Sequence, residues 1–275
     1  MTVIFDGKTF ASAKQNFLRE EVNKLKKKGI IPKLVSILVG RDPASDLYLK
    51  LKKKAATEIG AEVEIVRYKD DIHISELVHE IKKFNNNKTV SGIMVQLPLP
   101  KNFSKKDRDK IINAISKSKD VDGLREDSPY ITPTVKAVLL TIDEAIARVY
   151  PLRKRGINPN TIKVVVVGAK GFEGRKIYNA MKDKDYDVDG VDIETTDLKP
   201  KTNNKDILIS ATGVGSLIKS DIVKEGSILI DIGAPNGDIE KDAYAKAAFV
   251  SPVPGGVGPV TIFCLLENLV KAASL

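Results

Sequence analysis

The stretch Val164-Val-Val-Val-Gly168-Ala-Lys-Gly171-Phe-Glu-Gly174-Arg-Lys-Ile177 decides the reading of this chain. Its β-branched apolar run has the composition of a buried strand. The run leads directly into Gly168, Gly171 and Gly174 and then into a helical pattern. Glycines at such a turn allow a tight reversal and let a ligand approach the backbone closely. The N–H groups and dipole at the start of the following helix favour a phosphate or pyrophosphate. The spacing is GxxGxxG rather than GxGxxG, so a plain glycine-rich strand-to-helix turn is the competing reading. The strand before and the helix after favour a dinucleotide site.

Working outward, further strands are expected at Val188–Asp192, Ile207–Ser210, Ile228–Asp231 and Phe249–Val250. The N-terminal half gives a helix over 8–28 ending at Gly29, a strand Leu34–Val39 and a helix Pro43–Ile59 stopped by Gly60. A strand Val63–Tyr68, a helix Ser75–Asn85 capped by Ser75, a strand Val90–Leu97 and a helix Ser104–Ser116 follow. Pro133–Tyr150 reads as a helix, and Tyr150–Pro159 as a Pro/Arg/Lys-rich turn. Alternating strands and helices predict open, mainly parallel sheets covered by helices. A last helix, about Val260 to Ala273, has no partner in the second series and is expected to return to the first. A chain of 275 residues suits two domains.

Composition excludes several classes. The net charge is +9, yet aromatics are 5% and there is no Trp, so the stacking platform of a nucleic-acid binder is missing. No apolar run approaches the roughly 18–20 residues that span a membrane, and the first residues lack a signal-peptide pattern. The single cysteine, Cys264, forbids an intramolecular disulfide and reads as a small core residue. A cytoplasmic protein with no nucleic-acid partner, no membrane and no metal site is expected.

Three segments carry chemistry. Ser45, Tyr48 and Lys52 are spaced by three and four residues and share one helix face. A partly desolvated lysine loses pKa and can act as acid or base near neutrality; the bland alternative is a solvated lysine-rich helix. Gln96, in Val95-Gln-Leu-Pro-Leu-Pro100, sits at the C-terminal end of a strand, where open α/β sheets bind ligands. Lys119-Asp120-Val-Asp122-Gly123 is a turn bearing two acids. In the second half, Ser210-Ala-Thr-Gly213-Val-Gly215 ends a strand that would flank a dinucleotide. Asp192 and Glu194 stand at the end of the second strand of this series (Val188–Asp192), where an acid accepts from ribose hydroxyls and repels a 2′-phosphate; Lys170 and Arg175 are nearby cations that would attract one. The stretch Pro252-Val-Pro-Gly-Gly-Val-Gly-Pro259 holds three glycines and three prolines, the composition of a shaped loop rather than a flexible linker.

Together, the Tyr48-to-Lys52 helix, Val95–Pro100, Lys119–Gly123, Thr132-Pro133 and Pro252–Pro259 resemble the bifunctional methylenetetrahydrofolate dehydrogenase/methenyltetrahydrofolate cyclohydrolase (FolD-type) family. The resemblance runs from about residue 3 to 272. It implies oxidation of 5,10-methylenetetrahydrofolate with NADP and hydrolysis of the methenyl product to 10-formyltetrahydrofolate. It implies a folate-binding catalytic domain (1–134 and 253–275), a Rossmann-type NAD(P)-binding domain (135–252), a cleft between them and a homodimer. Lys52 would be the acid/base, Tyr48 would orient the folate rings, Gln96 would bond Lys52 and Asp122 would accept from the pterin edge. Leu97, Pro98, Asp120, Pro254, Gly255 and Gly256 would complete the folate contacts. Gly168, Ala169, Lys170, Gly171, Gly174, Arg175, Thr212, Gly213 and Ile232 would hold the cofactor.

The chain also departs from the family pattern. Gly168-Ala-Lys170 replaces Gly-Arg-Ser, Glu173-Gly-Arg-Lys176 replaces Val-Gly-x-Pro, and Ile193-Glu-Thr-Thr196 stands where His-Ser-Arg/Lys-Thr is usual. Val135 replaces a glycine, and Ala234-Pro235 replaces Ile-Asn. These departures and the local acids make NAD the alternative cofactor. Two other readings compete: a related dehydrogenase for another anionic substrate, and a nucleotide sensor without turnover. The first has no pterin edge for Asp122 to satisfy.

Overall fold

The computed structural model describes residues 1–150, 158–192 and 194–275. It divides into two compact units: Met1–Ala11 with Thr134–Thr261, and Ser12–Pro133 with Ile262–Leu275.

The second of these units holds β2 (Lys33–Val39), α2 (Pro43–Ile59), β3 (Glu62–Tyr68), α3 (Ile74–Asn86), β4 (Gly92–Val95) and α4 (Lys105–Asn113). Its three parallel strands lie in the order β3-β2-β4. The chain leaves β2 first to one side and then to the other, so a topological switch point lies at the C-terminal ends of β2 and β4. Val35, Ile37, Val39, Ile93 and Val95 pack against Leu77, Ile81, Ile111 and Ile115, which fixes the register on one apolar face. Asp42 accepts from the N–H of Ser45 at the start of α2, Pro43 opens the helix, and Gly60 ends it with φ 82°.

The other unit holds β1 (Val3–Ile4), β5 (Lys163–Val167), α6 (Phe172–Asp183), β6 (Asp187–Val191), α7 (Lys199–Thr202), β7 (Ile207–Ser210), β8 (Ile228–Asp231) and β9 (Phe249–Ser251). Its six strands are all parallel, in the order β1-β9-β8-β7-β5-β6. Strands β5, β7 and β8 are almost wholly buried, as expected for strands covered on both faces. The switch point falls between β5 and β7.

The chain passes between units inside α1 (Gly7–Lys27), at the first residue of α5 (Pro133–Val149) and inside α8 (Val257–Ala273). Among the described residues, no helix is long and apolar enough to cross a membrane.

Several boundaries differ from the sequence expectation. Residues 1–11 belong with the six-stranded sheet, because Val3 and Ile4 pair with Phe249 and Val250. Residues 253–261 also belong to that unit, so the helix that returns to the other does so from Ile262. The α3 helix is capped by His73, not Ser75, because Glu76 and Leu77 already donate to His73 O. Strand β4 is shorter than the apolar run: Gln96 N–H makes the last ladder bond, to Ile37 O at 2.8 Å, and Pro98 has no N–H to continue. The α4 helix ends at Asn113 rather than Ser116, with Ser104 and Asp107 forming a capping box. Residues 151–157 of the expected turn lie outside the described residues.

Candidate active site

The α2 helix buries Ser45, Leu49, Lys52, Ala56 and Ile59, a single stripe at spacings of four and three. Lys52 is the one cation on that apolar stripe and is only 8% exposed. Its Nζ donates to Gln96 Oε1 at 2.9 Å and lies 3.6 Å from Met94 Sδ. Burial pushes the Lys52 pKa down, and the negative charge of Asp122 partly offsets that shift. Gln96 is held by its other end: Nε2 donates to Leu97 O at 2.8 Å, which turns Oε1 toward the lysine. Tyr48 lies one turn before Lys52 and is half-buried, as are Asp122 and Leu97, while Pro98 is exposed. A lysine of lowered pKa, with one N–H committed to Gln96, can take a proton on its free lone pair when neutral.

The two acids of the turn have different surroundings. Asp120 is fully buried, and its carboxylate accepts from the N–H groups of Leu124 (3.3 Å) and Arg125 (3.0 Å). Burial raises its pKa, against the pull of those bonds. Its environment is that of a turn-holding residue. Gly123 follows Asp122 with φ 63°, and a Cβ there would meet Tyr130 O at 2.6 Å. Sequence reasoning missed Asn268 on α8, whose Nδ2 donates to Val121 O (2.9 Å) and Ile131 O (3.0 Å), tying the turn to the last helix. A buried amide inside an apolar run was the available signal.

In the six-stranded unit the three glycines close a tight turn after β5. Gly168 has φ 86°, and a Cβ on it would meet Ala211 O at 2.6 Å. A Cβ on Gly174 would lie 2.0 Å from Gly168 O. Gly171 occupies the N-cap of α6 without a side-chain cap, so the first turn presents its N–H groups beside the glycine cradle. Ala169 is half-buried, and Arg175 is exposed in the first turn. Thr212, Gly213 and Ile232 follow β7 and β8 at the same edge; Ile232 N–H donates to Ser210 O at 3.0 Å. These residues fit a dinucleotide at the β5/β7 switch point.

At the end of β6, Asp192 accepts from the Lys170 N–H, and Lys170 Nζ pairs with Glu194 Oε2 at 2.9 Å. The Glu194 carboxylate holds the Lys170 pKa above its ordinary value. The other residues of the expected folate set, Pro254, Gly255 and Gly256, belong to this unit and not to that of Lys52. Their loop closes through Gly256 N–H to Pro252 O at 2.8 Å, and Gly7 donates to Gly255 O at 2.9 Å. A Cβ on Gly7 would lie 1.8 Å from Gly256 O, so the start of α1 abuts the loop. Gly7 was not singled out from the sequence.

A parallel-sheet unit with a glycine-cradled strand-to-helix turn, in one chain with a unit that buries a lysine of lowered pKa, defines a two-unit α/β nicotinamide-nucleotide enzyme. Residues 5–122 match the description "Tetrahydrofolate dehydrogenase/cyclohydrolase, catalytic domain", and residues 144–275 match the NAD(P)-binding domain of the same family. The chain is 39% identical over 99% of its length to all of the bifunctional protein FolD of Exiguobacterium sibiricum. The crystal structure of bifunctional FolD from Campylobacter jejuni covers the whole chain with 99% of its own, at TM-score 0.87 and 34% identity. That of the Trypanosoma brucei enzyme, complexed with NADP and an inhibitor, covers 99% with 97% of its own, at TM-score 0.87 and 29% identity. The chain belongs to the tetrahydrofolate dehydrogenase/cyclohydrolase family.

Proposed function

We propose that the protein oxidises 5,10-methylenetetrahydrofolate to the 5,10-methenyl cation and hydrolyses that cation to 10-formyltetrahydrofolate. The observation that carries this reading is the bond of buried Lys52 to half-buried Gln96, at 2.9 Å, within a chain matched along both family domains.

For hydrolysis, neutral Lys52 takes a proton from water as its oxygen bonds to the bridging carbon. The resulting ammonium returns that proton to the ring nitrogen N5 as the C–N5 bond breaks, and the remaining hydroxyl proton is released to solvent as the formyl C=O forms. Gln96 orients the amine throughout. Asp122 accepts from the pterin N–H groups, and its charge keeps the Lys52 pKa from falling further. Tyr48 orients the folate rings, and Leu97 and Pro98 supply further contacts to the same folate.

For the oxidation, a bound nicotinamide supplies the hydride acceptor. Gly168, Ala169, Gly171 and Gly174 cradle the pyrophosphate, with Arg175, Thr212, Gly213 and Ile232 flanking it. The family resemblance implies NADP, but the residues here favour NAD. Asp192 and Glu194 place negative charge at the β6 end, and Glu194 already neutralises Lys170. Steady-state kcat/KM with each cofactor tests both points. A higher value with NAD is expected; a higher value with NADP overturns the cofactor assignment, and no oxidation with either overturns the reading. A cytoplasmic homodimer free of nucleic acid completes the proposal, and sedimentation of the purified protein tests its size.

A further inference from the structure

Two carboxylates outside the sites described above lie buried behind the β7 loop. Asp231 ends β8 and is 0% exposed; Asp238 follows seven residues later and is 1% exposed. Burial is costly for a carboxylate unless hydrogen bonds compensate it.

The bonds run in one direction through the fold. Asp231 Oδ1 accepts from Gly233 N–H (2.9 Å) and Asp238 N–H (3.0 Å), and Oδ2 from Ile239 N–H (2.9 Å). Asp231 therefore shapes the turn that carries Asp238. Asp238 Oδ2 in turn accepts from Ser210 Oγ (2.8 Å), Thr212 N–H (2.7 Å), Thr212 Oγ1 (2.8 Å) and Gly213 N–H (3.3 Å). All of those donors lie at the end of β7, on the edge of the switch-point crevice. Asp238 Oδ1 makes no hydrogen bond and faces Gly233, where a Cβ would lie 2.0 Å away. Gly233 has no positive φ, so the space left for this carboxylate is what a side chain there would violate.

We infer that Asp238 is a positioning residue for nicotinamide-cofactor binding: it sets Thr212 and Gly213 against the cofactor, and Asp231 sets Asp238. An acceptor at this point gathers both backbone N–H groups, for which no other acceptor is found among the described residues. The inference rests on the cofactor reading above.

The test titrates wild-type, D238A and D238N protein with NADH and with NADPH, following nicotinamide fluorescence. Methenyltetrahydrofolate hydrolysis, which consumes no nicotinamide, is measured alongside. For the cofactor that wild type binds, D238A is expected to weaken affinity at least tenfold. D238N keeps an oxygen for Thr212 and Gly213 and is expected to lose about threefold. Hydrolysis is expected to stay within twofold of wild type in both. A D238A dissociation constant within twofold of wild type, in protein folded by circular dichroism, overturns the inference. If D238A does not fold, G233A decides: displacing the carboxylate should weaken NADH binding, and unchanged binding overturns the inference. Wild type that binds neither nucleotide sinks the cofactor reading itself.

Discussion

Gln96 Oε1 accepts from Lys52 Nζ at 2.9 Å, while Gln96 Nε2 is held by Leu97 O at 2.8 Å. The amide therefore meets the lysine as an acceptor in either protonation state. Replacing Gln96 with Glu keeps that oxygen and adds a negative charge, which favours the ammonium. Q96E should move the rising limb of the hydrolysis–pH profile to higher pH. An unmoved limb would mean that Lys52 is not the titrating base.

Lys52→Met should lower methenyl hydrolysis by about 10²–10⁴-fold, the usual span for a general acid–base group, with NADH affinity unchanged. The same variant should be more stable than wild type. Burial depresses the folded pKa of Lys52, while the unfolded chain titrates near the ordinary value of about 10.4. Between those values the unfolded state holds more protons, so wild-type stability rises with pH. Below the folded pKa the full penalty of the buried charge applies. The gain in Tm from K52M should thus be largest below the folded pKa and shrink as pH climbs from there toward about 10.4. A gain that grows with pH would contradict this account.

Asp120 and Asp122 should separate by experiment. D120A removes a buried acceptor that holds two turn N–H groups and should cost about 1–3 kcal/mol in denaturant unfolding. D122N should cost less stability than D120A, raise KM for the folate and shift the Lys52 limb to lower pH, because a neighbouring negative charge has been removed. Equal losses of stability in the two variants would refute the distinction.

The β6 end gives a third contrast. Asp192→Ser should reduce kcat/KM with NAD by about tenfold, the loss of roughly one charged hydrogen bond to ribose. It should leave the NADP value unchanged or higher. A parallel fall with both cofactors would assign Asp192 to holding the Lys170 turn alone.

Much of this was legible in the chain. The α2 stripe could be read from spacing, since Ser45 and Lys52 fall on one face whatever the partner. The glycines at 168, 171 and 174 announced close packing because a Cβ on Gly174 has no room against Gly168 O. The place of Val3 and Ile4 was not legible: two residues carry no period, and their sheet partners lie some 246 positions away. Asp231 and Asp238 were missed for a different reason. Acids beside Gly233 and Gly237 carry no sequence sign of burial, and only the fold buries them. The family resemblance gave Asp122 the pterin edge, but the turn-holding place of Asp120 became visible only with the N–H groups of Leu124 and Arg125.

The strand β1 has a consequence for the gene as well as the sheet. Residues 134–261 are encoded as one block set inside the coding sequence of the other unit, yet that block lacks Val3 and Ile4. Excised alone, it would leave β9 as an open edge with unpaired N–H and C=O groups, a surface that invites pairing between copies. The two units are therefore inherited together: a truncation, a fusion or a domain transplant that respects only the central block carries away an incomplete sheet.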